Sequence, residues 1–115
     1  MNTLVGSAIG RLGQNYRENM IELQGLLEDE FDPNGMDVNR WWTPLQFAII
    51  QNIREDRKLE VIALLLFYGA DPLETNGDRV NAFDTARSYG TLQIQRLLSE
   101  GVTSVQLAGQ NTREH

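Results

Sequence analysis

Residue types able to do covalent or acid–base chemistry are scarce in this chain of 115 residues. It holds no cysteine, and its single histidine, His115, is the last residue. Without a thiolate or an interior imidazole, no Ser–His or Cys–His pair can be assembled, and the zinc sites built from those ligands are excluded. Ser7, Ser88, Ser99 and Ser104 share the chain with a single lysine, Lys58, as a conceivable activator. They read as exposed or helix-capping residues. Glu28 and Glu30 could form a carboxylate pair, but they sit among like charges at a helix end and read as a solvated corner. Gly6, Gly10 and Gly13 fit neither a dinucleotide fingerprint nor a P-loop, since no Gly-Lys-Ser/Thr follows. These residues point away from an enzyme and from any cofactor, metal or small-molecule substrate.

The remaining candidates are features of a binding surface. The formal net charge is -6, and Glu28, Asp29, Glu30 and Asp32 lie within five residues, with Asp37 close behind. Such a surface repels nucleic acid and anionic membranes and attracts a basic protein. Read only as charge balance, the same residues keep the chain soluble. Arg40 stands beside Trp41 and Trp42, and tryptophan and arginine are the types enriched at binding hot spots. On an extended arm neighbouring side chains point to opposite faces, so one ring packs on Thr43-Pro44 or the core and the other is exposed. The competing reading places both rings in packing.

The elements that must carry these residues follow from composition and pattern. Hydrophobic residues make up 41% and charged residues 23%, a globular profile, and the length suits one domain. The longest apolar stretch, Val61 to Tyr68, is far short of the ~20 residues that span a bilayer. No basic segment precedes an apolar run at the N-terminus, so no secretory signal is expected and the default location is cytoplasmic.

The chain repeats itself. Leu26-Leu27-Glu28-Asp29-Glu30-Phe31-Asp32-Pro33 aligns with Leu65-Leu66-Phe67-Tyr68-Gly69-Ala70-Asp71-Pro72 at an offset of 39, and Leu97-Leu98-Ser99-Glu100-Gly101 is a weaker third copy. Upstream, Gln14-Asn15-Tyr16-Arg17-Glu18-Asn19 echoes Gln51-Asn52-Ile53-Arg54-Glu55-Asp56. Thr43-Pro44 and Asn81 open helices, Thr91 caps another, and Gly69 ends one in the left-handed conformation. Asn34-Gly35 and Asn76-Gly77 predict tight hairpin turns, because both residues tolerate positive φ. The near-continuous apolar run from Val61 to Phe67 predicts a helix packed on both sides in the middle of a stack. Ile94, Leu97 and Leu98 form one stripe, as a terminal helix requires.

Thr43-Pro44-Leu45-Gln46-Phe47-Ala48 and Leu65-Leu66-Phe67-Tyr68-Gly69-Ala70-Asp71-Pro72 resemble the T-P-L-H-x-A and L-L-x-x-G-A-D-x motifs of ankyrin-repeat proteins. Asn81-Ala82-Phe83-Asp84-Thr85-Ala86 with Gly90 resembles a degenerate further copy. The resemblance implies an all-α fold: an ankyrin-type solenoid of stacked helix pairs with hairpin-like fingers. The array would cover residues 1–101 in units of about 3–38, 39–76 and 77–101, with a tail at 102–115 that caps the stack or is partly disordered. Gln46 stands where the family has histidine, and Glu30 where it has glycine. The units also exceed the family period of about 33 residues, with the excess around Gln14 to Arg17 and Asn52 to Lys58, where extended loops or extra helical turns are expected.

In that family partners bind the finger tips and the face made by the first helix of each unit. Carried over by position, this implies Val38, Asn39, Arg40 and Trp42, then Ile50 and Gln51, then Gly77, Asp78, Val80, Ser88 and Tyr89. A short array with little appended sequence resembles bacterial immunity proteins, which implies neutralisation of a cognate toxin by steric occlusion. The acidic residues would suit a basic toxin or nuclease domain. The alternative is a scaffold or adaptor that joins proteins in an effector or a complex.

Overall fold

The start and stop signals of the sequence become helix ends in a computed structural model that describes residues 3–35 and 42–101. The helices are α1 (Thr3–Gly10), α2 (Tyr16–Glu28), α3 (Pro44–Ile49), α4 (Glu55–Phe67), α5 (Ala82–Tyr89) and α6 (92–101). No strand occurs among the described residues, so the protein is all-α there. The expectations for Asp37, Val38, Asn39, Arg40 and Trp41, and for the tail 102–115, lie outside the described residues.

Thr43 accepts the Gln46 N–H at 3.3 Å while the Gln46 Oε1 accepts the Thr43 N–H at 3.0 Å, a reciprocal cap that opens α3 with Pro44 in its first turn. Asn81 and Asp84 form the same box at α5, with bonds of 3.0 and 3.2 Å. Thr91 accepts the Ile94 N–H at 3.3 Å where α6 begins.

Connections at 11–15 and 50–54 turn α2 back against α1 and α4 back against α3. Helix α3 packs on both α1 and α5, and α4 packs on α2. A Cβ at Gly101, in α6, would stand 2.7 Å from the Leu66 side chain, which places α6 beside α4. The result is two rows, α1–α3–α5 and α2–α4–α6, with one continuous core between them. Val5, Ile9, Leu23, Leu45, Ile49, Ile62, Leu65, Ile94 and Leu98 are buried in it. All six residues of α3 are buried, as a helix with neighbours on every side requires.

Helix α4 has neighbours on both sides, α2 and α6, as expected of the middle of the stack, but its apolar run is not buried all round. Val61, Ile62 and Leu65 are buried, but Ala63 is exposed and Phe67 is 80% exposed. An outer-row helix has neighbours on three sides and solvent on the fourth. The excess residues between paired helices resolve into short loops plus the first turns of α2 and α4.

Helices α2 and α4 end alike. The Phe31 N–H reaches the Leu26 carbonyl and the Glu30 N–H reaches that of Leu27, both at 3.1 Å. Ala70 repeats the first bond to Leu65 at 2.9 Å, and Gly69 the second to Leu66 at 3.0 Å. This closure needs a left-handed residue, and both helices supply one, Glu30 with φ 68° and Gly69 with φ 99°. A glutamate there is strained where a glycine is not. Glu30→Gly is therefore expected to stabilise the fold by about 0.5–1 kcal/mol, read as a higher urea midpoint at unchanged slope. No atom lies within 4 Å of a Cβ at Gly69, so Gly69→Ala is expected to cost about 1 kcal/mol through backbone conformation alone.

The turns that follow correct the Asn-Gly expectation. None of Asn34, Gly35, Asn76 and Gly77 has positive φ; the left-handed residue of the second turn is Arg79, at φ 62°. Asn76 instead accepts the N–H of Asp78 at 2.8 Å and of Val80 at 3.2 Å on its side-chain oxygen. Its own N–H meets the Val80 carbonyl at 2.9 Å, closing a three-residue loop. Asn34 works between units: its Oδ1 accepts the Asp71 N–H at 2.6 Å and its Nδ2 donates to the Gly69 carbonyl at 3.2 Å.

Candidate binding surfaces

The buried amide of Gln46 fixes the middle unit to the next. Beyond its cap, Nε2 donates to the Val80 carbonyl and to Thr85 Oγ1, both at 3.0 Å, and the Thr85 hydroxyl donates in turn to the Asn81 carbonyl at 3.2 Å. The glutamine thus does what a residue with one acceptor and one donor end must do there. It holds the turn around Val80 against α3 and so sets the edge on which the finger residues stand.

On that edge lies the acidic corner. Glu28 is the last residue of α2, Asp29 caps it and Glu30 follows, and all three are exposed. None makes an ion pair among the described residues. They crowd the negative end of a helix dipole, an arrangement that works against stability and projects negative potential outward. The Asn34 bonds place this corner beside the end of α4, where exposed Phe67 meets Tyr68 edge-on with ring centroids 5.1 Å apart.

Not all of the other predicted residues join it. Trp42 is half-buried and packs against the core. Gln51 is half-buried just beyond α3, with its amide donating to the Phe47 carbonyl at 3.1 Å, so part of its polar capacity is used on the end of that helix. Gln51 and Tyr89, the latter 64% exposed, stand at the C-terminal ends of α3 and α5, away from the acidic corner. Asp78 is exposed at the tip of the second turn.

The sequence reading missed a cleft at that opposite edge, between the N-terminal turns of α2 and α4. It has a volume of about 690 Å³ and is lined by Asn15, Tyr16, Arg17, Met20, Ile21, Arg54, Asp56, Arg57 and Glu60, among others. The Arg57 guanidinium lies 4.6 Å from the centroid of the Tyr16 ring, and the Tyr16 hydroxyl donates to Glu60 Oε1 at 3.1 Å. Burial, and then the Glu60 carboxylate, push the Tyr16 hydroxyl up to about 12. The fold therefore favours the protonated phenol. That contribution is whole below the unfolded value near 10 and is lost as pH rises towards 12. In an ultraviolet titration of phenolate absorbance, Tyr16 is expected to ionise well above pH 10, and Tyr16→Phe should remove that late step and lessen alkaline unfolding. The one sequence signal for this cleft was the echo of 14–19 in 51–56.

Among the described residues no helix is long and apolar enough to cross a membrane, and no group of three or more His, Cys, Asp or Glu is placed to hold a metal ion. The chain matches no family model, no curated protein and no solved structure.

Proposed function

We propose that this chain is an ankyrin-type helical array that acts by binding another protein without catalysis, and that its partner is a basic toxin or nuclease domain which it neutralises by occlusion. The observation that carries the reading is the exposed, unpaired trio Glu28, Asp29 and Glu30 on the negative end of α2. Like charges at that place oppose folding, and a cationic partner removes the penalty. The neighbouring aromatic surface of Phe67, with Tyr68, offers an apolar anchor and a face for arginine. Two-row stacking and the Gln46 link between units support the ankyrin reading. Both give a rigid platform, which limits the ordering cost of association.

The test is capture of partners from the native cell lysate, followed by expression of each captured protein alone and together with this chain. The expected result is one stoichiometric basic protein that is toxic alone and harmless in the pair. Reversing Glu28, Asp29 and Glu30 to lysine should lower its association rate by about tenfold at low salt, with a smaller effect at high salt. Several unrelated partners, or a stable assembly containing this chain as a subunit, would favour an adaptor and reject the inhibitor.

A further inference from the structure

The cleft between α2 and α4 has a charge character opposite to that of the acidic corner. Arg17, Arg54 and Arg57 line it in a chain whose formal net charge is -6. Arg54 is paired with Asp56 at 3.0 Å on the exposed rim, and Glu60 is engaged by the Tyr16 hydroxyl. Arg17 and Arg57 have no carboxylate partner among the described residues. Against Asp56 and Glu60 the three arginines leave the lining with a net positive charge, carried by the two guanidiniums that no carboxylate pairs. The Arg57 guanidinium sits over the Tyr16 ring, so less of its side-chain freedom remains to be lost on binding.

The rest of the wall is apolar. Met20 and Ile21 line the same concavity, and Ile21 is 67% exposed, a large aliphatic surface left to water. Arg54 ends the connection before α4, and Arg17 and Arg57 stand in the first turns of α2 and α4, so the segments that lengthen the first and second units converge here. Insertions in repeat arrays gather on one face, often the binding face.

We infer that this cleft is a second binding site, and that it takes an acidic peptide segment of a partner protein in which carboxylate and aliphatic side chains alternate. Carboxylates pair with Arg17 and Arg57 in the forked geometry that guanidinium favours, and an aliphatic side chain covers Met20 and Ile21. A bare inorganic anion leaves the apolar wall uncovered. A nucleic acid strand likewise brings no aliphatic side chain to cover Met20 and Ile21. The site is independent of the acidic corner, so either can hold while the other fails.

The experiment is an amide-resolved NMR titration of the full chain with a synthetic hexapeptide of alternating glutamate and leucine. The expected result is saturable shifts confined to the N-terminal halves of α2 and α4, weakened by salt. Arg57→Gln and Arg17→Gln should each reduce affinity by about tenfold, with thermal unfolding unchanged in Arg17→Gln. Ile21→Ser should weaken the peptide while leaving any response to inorganic phosphate as it was. No shift up to millimolar peptide overturns the inference, as do shifts elsewhere on the chain or equal shifts from a lysine–leucine hexapeptide. Phosphate alone reproducing the full response at equal affinity overturns it too, since the site would then hold a point anion.

Discussion

Gln46→Leu is expected to destabilise the protein by about 3 kcal/mol or more, the largest loss from any single polar residue of this fold. Leucine fills nearly the same volume, so the loss measures hydrogen bonding rather than a cavity. The substitution removes the acceptor of the Thr43 N–H and a donor of both the Val80 carbonyl and Thr85 Oγ1. The Thr43 and Thr85 bonds are buried and the Val80 bond partly so, around a fully buried side chain. For a domain of this size each kcal/mol moves the melting temperature by about 4 °C, so a fall of about 12 °C is expected by calorimetry. Gln46→His gives the companion measurement. Neutral imidazole carries one acceptor and one donor nitrogen, enough to meet Thr43 and Val80 but not Thr85, so a loss below about 1.5 kcal/mol is expected. Equal damage from histidine and leucine would reject the ankyrin reading of this unit, because that reading requires a site built to accept histidine.

Local chemistry was legible in the sequence and long-range chemistry was not. The Thr43-Pro44, Asn81 and Thr91 caps each act within about one helical turn, so residue type and order were enough to place them. Glu30 is the instructive case. Its type argues against a left-handed stop, yet its register with Gly69 puts it there, and the two closing bonds at each site agree. Repeat register overrode local preference. The Asn-Gly pairs misled because the signal assumes a two-residue turn. Asn76 instead spends its side-chain oxygen on two N–H groups and moves the left-handed residue to Arg79, while Asn34 spends both ends of its amide on the neighbouring unit. Neither use can be seen without knowing what lies opposite. The same holds for the cleft, where Tyr16 meets a glutamate 44 positions away. The echo of 14–19 in 51–56 was visible, but only stacking of the two units brings the echoes together.

Leu65→Ala and Leu98→Ala should separate the middle of this stack from its end. Both leucines are fully buried, and truncation of either costs about 3 kcal/mol by lost transfer energy and residual cavity. Their consequences differ because in a linear stack each helix pair contacts only its neighbours. Leu65 lies in α4, between the rows and between the flanking units, so Leu65→Ala should lower amide-exchange protection throughout the chain. Leu98 lies in α6, and its loss should reduce protection in α5 and α6 while α1, α2 and α4 retain most of theirs. The two binding surfaces sharpen this contrast. The acidic corner and the arginine-lined cleft are both built from the first and second units alone, so binding at either should survive Leu98→Ala under conditions where Leu65→Ala abolishes it. Uniform loss of protection in Leu98→Ala would show instead that the helices open as one cooperative body. Units then could not be treated as separable, and the cleft would owe its shape to the last helix pair as much as to the first.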